Sequence, residues 1–243
     1  MADRFVIFGV PIDKVTMKNA VDIVENFLSE DRLHIVATPN AEIVMMAQND
    51  DEYKEILNKT DLNVPDGSGV IFASKIYKEE LPERVAGFDL MMELIKIASL
   101  KHYKIYLLGA KADVVKGAYL NLKSRYQGID IVGFHDGYFS EIDEEEIIND
   151  INDKKADLLF VALGAPKQEK WIYKNRNKLN VKVAIGVGGS FDVIAGKVTR
   201  APEIYRKLGL EWFYRLMKEP WRYKRMMALP KFAIKVLFSK KSL

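Results

Sequence analysis

Four short stretches of this 243-residue chain carry the side chains best placed to do chemistry: Thr38-Pro39-Asn40, Pro65-Asp66-Gly67, Gly164-Ala165-Pro166-Lys167-Gln168-Glu169 and Gly188-Gly189-Ser190-Phe191-Asp192. Asp66 is the one carboxylate among them held between a proline and a glycine. A rigid turn therefore presents it beside exposed backbone, although a lone aspartate there also suits the turn itself. Gln168 and Asp192 offer hydrogen bonds suited to a base or a sugar, although both also suit the first turn of a helix. Gly188-Gly189 permits a tight turn or a close backbone approach that a Cβ would hinder. That serves a phosphate or sugar, or simply the packing of an ordinary strand-to-helix loop.

Each stretch follows an apolar run of strand type. Strands are expected over residues 5–10, 33–37, 61–64, 104–108, 129–134, 158–163 and 181–187, the last through Val181, Val183, Ile185 and Val187. Between them the apolar spacing is helical: after a Thr16 cap, through residues 43–47 and 70–77, up to residue 100, over 112–126 and 143–153, and after residue 169. Ser190 is expected to cap a short helix from Phe191 that Gly196 stops. This alternation with short loops predicts an α/β fold, a mostly parallel Rossmann-like sheet with helices on both faces. Ligands in such folds bind at the carboxyl ends of the strands, where all four stretches fall.

Residues 1–196 are expected to form one α/β catalytic domain and residues 197–243 a C-terminal helical, basic and aromatic appendage. The 49% apolar content is enough for a real core. The absence of cysteine removes disulfides and thiolate chemistry, and three scattered histidines make a zinc site unexpected, so no metal and no cofactor are assigned. The start of the chain runs straight into a strand, and no apolar run approaches the ~18 residues of a membrane span, so cytosolic residence is expected. The formal net charge of +3 hides an asymmetry. From Lys197 onward there are 13 Lys and Arg against three Glu, a net +10, which leaves residues 1–196 at −7. Basic residues interleaved with Tyr205, Trp212, Phe213, Tyr214, Trp221 and Tyr223 suit a membrane interface or a nucleic acid.

Several chemistries lack their signature. No G-x-G-x-x-G follows the first strand and no G-x-x-x-x-G-K-[ST] occurs, which weighs against dinucleotide and NTPase readings. Ser190 has no nucleophile elbow, and no D-x-D marks a metal-held sugar nucleotide. The acidic clusters at residues 50–52 and 143–146 read as solvated helix faces.

Taken in order, Thr38-Pro39-Asn40, Pro65-Asp66-Gly67, the stretches at 84–89 and 163–169, the glycine run at 186–196 and Arg200-Ala201-Pro202 resemble the WecG/TagA/CpsF glycosyltransferase family, glycosyltransferase family 26. The segment at 209–222 extends the likeness into the tail. This resemblance implies inverting, metal-independent transfer of N-acetylmannosamine from UDP-N-acetylmannosamine to undecaprenyl-diphosphate-linked N-acetylglucosamine, in wall teichoic acid synthesis. It also implies a peripheral enzyme on the inner face of the cell membrane. It places the general base at Asp66, substrate contacts at Thr38, Asn40, Arg84 and Gln168, and catalytic arginines at Arg215, Arg222 and Arg225. Gly188, Gly189 and Asp192 join the substrate-binding set on their own chemistry. The tail is expected to contact anionic membrane and to close the site. A homo-oligomer is allowed and no nucleic acid is expected. Another donor sugar of the same family, a nicotinamide oxidoreductase and a nucleic-acid-binding module stand as alternatives.

Overall fold

The computed structural model describes residues 3–239. The chain opens with a two-stranded antiparallel hairpin, β1 (Arg4–Ile7) and β2 (Val10–Asp13), in place of the single strand expected over 5–10. Phe8 and Gly9 form the turn with φ of 50° and 78°, the paired positive values that match the twist of a two-residue hairpin loop. Val6, Ile7 and Val10 flank that turn without a polar break, so the sequence reads as one run.

Every other expected strand is present, and together they form one parallel sheet. These are β3 (His34–Ala37), β4 (Leu62–Asn63), β5 (Lys104–Gly109), β6 (Asp130–His135), β7 (Leu158–Ala162) and β8 (Val183–Gly186), in the spatial order β4-β3-β8-β7-β5-β6. The strands are nearly all buried because helices cover both faces, and their side chains alternate between two cores. Ile105, Leu107, Leu158, Phe160, Val183 and Ile185 face the helices Met17–Leu28, Gly87–Lys101 and Ala112–Arg125. Tyr106, Leu108, Leu159, Val161 and Ala184 face the helices Glu141–Asp153 and Lys167–Asn175.

A third apolar cluster lies at one flank. It joins Phe5, Ile7, Val10 and Ile12 of the hairpin to the helices Ala41–Ala47, Asp51–Asn58 and Ser68–Tyr77, and to Phe232 and Val236 of the last helix, Ala228–Ser239. That helix is therefore part of the body. Between it and the sheet run three helical pieces, Glu203–Lys207, Glu211–Lys218 and Tyr223–Met226, with a 3-10 turn at Pro220–Arg222. Neither of the first two pieces buries a residue.

Two capping expectations resolve differently. Thr16 caps its helix, accepting from the Asn19 N–H at 3.1 Å. Ser190 lies inside the helix Ser190–Ile194, after Gly189, and its hydroxyl donates back to the Val187 carbonyl at 2.6 Å. The acidic clusters are more than solvated faces. Asp50 caps the helix Asp51–Asn58 through the Tyr53 N–H and, with Glu52, binds Lys170, while Asp143 closes a capping box with Ser140.

Candidate active site

The loops after β4, β3, β8 and β7 come from four adjacent strands, so the sheet order itself brings the four chemically promising stretches to one place. They line a cleft of about 260 Å³ at the carboxyl edge of the sheet. Thr38, Asn40, Asp66, Arg84, Gln168, Gly188 and Gly189 all face it, as do Arg215 and Arg225 from the tail. Asp192 lies in the first turn of its helix and outside the lining, where its backbone carbonyl accepts from Lys197 and Val198. The Arg222 side chain lies outside the described residues.

Asp66 is pinned by its neighbours. Its N–H donates to the Pro39 carbonyl at 3.1 Å, the Pro65 carbonyl accepts from Val85 at 2.9 Å, and Gly67 turns at a φ of +82°, which a glycine adopts without strain. A Cβ on Gly67 would lie 3.3 Å from the Asn40 Cβ, so the two loops touch. Asp66 is half-buried and lines the cleft. Burial and the nearby Glu211 carboxylate push its pKa up to about 6, and Arg84, Arg215 and the Gly87 N–H offset only part of this. Asp66 is thus a stronger base than an ordinary aspartate and still largely ionised at neutral pH.

The other predicted positions are held in different ways. Asn40 caps the helix Ala41–Ala47, its Oδ1 accepting from the Ile43 N–H at 3.0 Å. Thr38 is buried against Gly87, where a Cβ would come within 3.0 Å of the Thr38 methyl group. Gln168 is a brace. Its Oε1 accepts from both Gly164 N–H (3.2 Å) and Gly188 N–H (3.0 Å), and its Nε2 donates to Glu169 (2.8 Å). One amide therefore ties the loops after β7 and β8 together. Behind it the fully buried Glu169, held also by the Tyr53 hydroxyl at 3.1 Å, has its pKa raised by burial. Gly186 leaves room for this pair, since a Cβ there would lie 2.5 Å from Gln168 Nε2.

Sequence reasoning missed Glu211 and Arg200 as lining residues. Glu211 stands between two cations, 3.0 Å from Arg215 Nη2 and 3.8 Å from Arg84 Nη2. It lies in the segment 209–222 that carries the likeness into the tail, but as one glutamate in a basic stretch it drew no role. Arg200 grips Asp89 through both oxygens at 2.6 and 2.7 Å and lies over the Phe88 ring at 4.5 Å. Both partners sit in quoted motifs, 84–89 and 200–202, and that joint appearance was the available signal. Arg225 binds Glu42 at 2.5 Å, which fastens the tail to the first turn of the helix Ala41–Ala47.

Among the described residues no three His, Asp or Glu side chains gather as a metal site would need, and no helix is long and apolar enough to cross a membrane.

A carboxylate and a set of guanidinium groups converge on one cleft, with the carboxylate fixed by the sheet and some of the cations carried on the tail. Such an arrangement on an α/β fold suits a group-transfer enzyme. More narrowly, the chain belongs to the glycosyl transferase WecG/TagA/CpsF family, whose profile matches residues 5–243. It is 39% identical over 237 residues to the N-acetylglucosaminyldiphosphoundecaprenol N-acetyl-beta-D-mannosaminyltransferase of Bacillus subtilis (strain 168), covering 97% of this chain and 92% of that one. It is 38% identical over 239 residues to the enzyme of the same name from Staphylococcus aureus (strain MW2), covering 98% and 93%.

Proposed function

We propose that this protein transfers N-acetylmannosamine from UDP-N-acetylmannosamine to undecaprenyl-diphosphate-linked N-acetylglucosamine, with inversion at the anomeric carbon. The convergence of Asp66 with Arg84 and Arg215 in one cleft carries the reaction type. The sugars and the lipid follow from the names of the near-full-length relatives.

The acceptor hydroxyl gives its proton to the Asp66 carboxylate as its oxygen attacks the anomeric carbon. The bond from that carbon to the donor phosphate breaks, and its electron pair leaves with UDP. A single displacement on the face opposite the leaving group inverts the centre. Negative charge grows on the departing diphosphate, and Arg84, Arg215 and Arg225 are positioned to meet it, with Arg222 assigned to the same task by family resemblance. Glu211 holds Arg84 and Arg215 at the cleft.

The acceptor lipid is confined to a bilayer, so the enzyme has to reach it there. Supporting a peripheral contact, the tail leaves Ile204, Leu208, Trp212, Phe213, Met217 and Trp221 exposed among its basic residues. The test is a panel of UDP-sugars offered with a polyprenyl-diphosphate-N-acetylglucosamine acceptor in vesicles, scored by UDP release. Release with the N-acetylmannosamine donor alone is the expected result, and preference for a mannosaminuronic acid or glucose donor replaces the sugar assignment. Sedimentation with anionic liposomes tests the membrane contact, and a dimer that buries the same side chains in solution argues against it.

A further inference from the structure

Beside the cleft lies a second, more open groove of about 420 Å³ that shares a rim with it. Ser68, Arg84 and Gly209 line both. The rim is a direct contact between body and tail: the Ser68 hydroxyl donates to the Gly209 carbonyl at 2.9 Å, and Gly209 turns at a φ of +70° with Ser68 Cβ 2.9 Å from where its own Cβ would be. Beyond the rim the groove has two characters. Ile71, Phe72 and Leu208 give it an apolar surface, while Lys75, Arg206 and Lys207 supply positive charge, and among the described residues no acidic side chain lines it. Of these cations Lys207 is paired, with the exposed Glu203 at 2.8 Å.

An apolar channel edged by cations and opening onto a catalytic cleft fits a ligand with an anionic head and a long hydrocarbon chain. We propose that this groove binds the diphosphate and the first isoprene units of the lipid-linked acceptor, so that the sugar beyond the diphosphate crosses the Ser68–Gly209 rim toward Asp66. This rests on the acceptor class proposed above. The charge favours the diphosphate and the apolar side chains favour the chain, which makes the two contributions separable.

The experiment compares two acceptors in detergent, one with a long polyprenyl chain and one cut to a single isoprene unit, on the full chain and on Phe72→Asp and Lys75→Glu. Both altered side chains are exposed, and unchanged thermal melting will confirm that the variants fold. Phe72→Asp should raise KM at least about tenfold for the long acceptor and change it little for the short one. Lys75→Glu should raise KM for both, and neither should alter KM for the UDP-sugar. An unchanged acceptor KM in the folded variants overturns the proposal, as does an equal rise for both chain lengths in Phe72→Asp. Normal kinetics in detergent with lost binding to acceptor-free anionic vesicles also overturns it and makes the surface a membrane contact. Wild-type protein inactive on both acceptors overturns the parent function, and the groove with it, whereas an active wild type with indifferent variants overturns the groove alone.

Discussion

The two walls of the cleft are built on different principles. On the sheet side, Thr38, Asp66 and Gly188 sit on loops from adjacent buried strands and Gln168 in the first turn of the helix after β7. Backbone or amide hydrogen bonds tie the loops after β4 and β3, and those after β7 and β8, in pairs. On the tail side, Glu211 and Arg215 ride on a helix with no buried residue, held by ion pairs and by the Ser68–Gly209 contact. Only beyond residue 227 does the tail gain a firm anchor, where Phe232 and Val236 enter the core. Proton transfer needs a base placed to within a fraction of an ångström, whereas charge on a diphosphate can be met over a wider range of positions. The overdetermined wall carries the base, and the adaptable wall carries cations.

The sharpest way to break this division is Asp66→Asn, which keeps shape and removes basicity. We expect kcat to fall by roughly 10²–10⁴ with UDP binding intact, measured by turnover and by calorimetric titration. The same variant has a stability signature. The folded pKa of about 6 lies above the ordinary aspartate value of 3.8, so the folded state holds that proton more tightly. Stability is consequently lost as pH rises from the unfolded toward the folded pKa, and the full cost persists above it. Asp66→Asn should therefore melt higher than wild type at pH 8, with a smaller gain at pH 5.

Arg215→Ala tests the other wall and should lower kcat by about 10²-fold, the usual scale for one transition-state donor. Arg215→Lys should recover only part of that, because an ammonium lacks the planar fork. Equal loss in Asp66→Asn and Arg215→Lys would erase the distinction between fixed base and adaptable charge. Activity that survives EDTA is expected alongside, since guanidinium groups meet the leaving charge, and restoration of a chelated enzyme by Mg²⁺ would contradict it.

Phe232→Ala probes the anchor. Removing a ring that is 1% exposed should cost about 3 kcal/mol in denaturant unfolding. It should also weaken activity through Arg215 and Arg225, which the same tail carries. The smallest effect belongs to Glu211→Gln. Removing a carboxylate that raises the Asp66 pKa should shift the acid limb of the kcat/KM profile to lower pH by less than about one unit. A shift to higher pH would show that Glu211 acts on Asp66 mainly by holding the arginines near it.

The sheet and the sheet-side wall were legible because buried parallel strands produce long Val/Ile/Leu runs, and glycine, proline and amide residues mark their carboxyl ends. Pro65-Asp66-Gly67 is visible as chemistry before any coordinate is known. The hairpin was not, since Phe8-Gly9 lacks the polar residue that usually signals such a turn. The dual acceptor role of Gln168 Oε1 was hidden too, for it depends on two glycine N–H groups, the farther of them 20 residues away in sequence. Glu211 was illegible for another reason: its significance comes from the cations around it in space, and the tail's basic composition masked it.

The placement of Phe232 and Val236 has a consequence for how the protein is made. They fill a cluster begun by Phe5, Ile7 and Val10, so residues synthesised far apart in time share one apolar interior. Domains otherwise fold from the amino end as they emerge. Here that flank stays open until residue 236 has been extruded, and a stalled or clipped chain presents the helices Ala41–Ala47 and Ser68–Tyr77 uncovered. The contact that draws the tail across the cleft thus also reports that synthesis has run past it, and a chain released early would carry the base of Asp66 without its opposing wall.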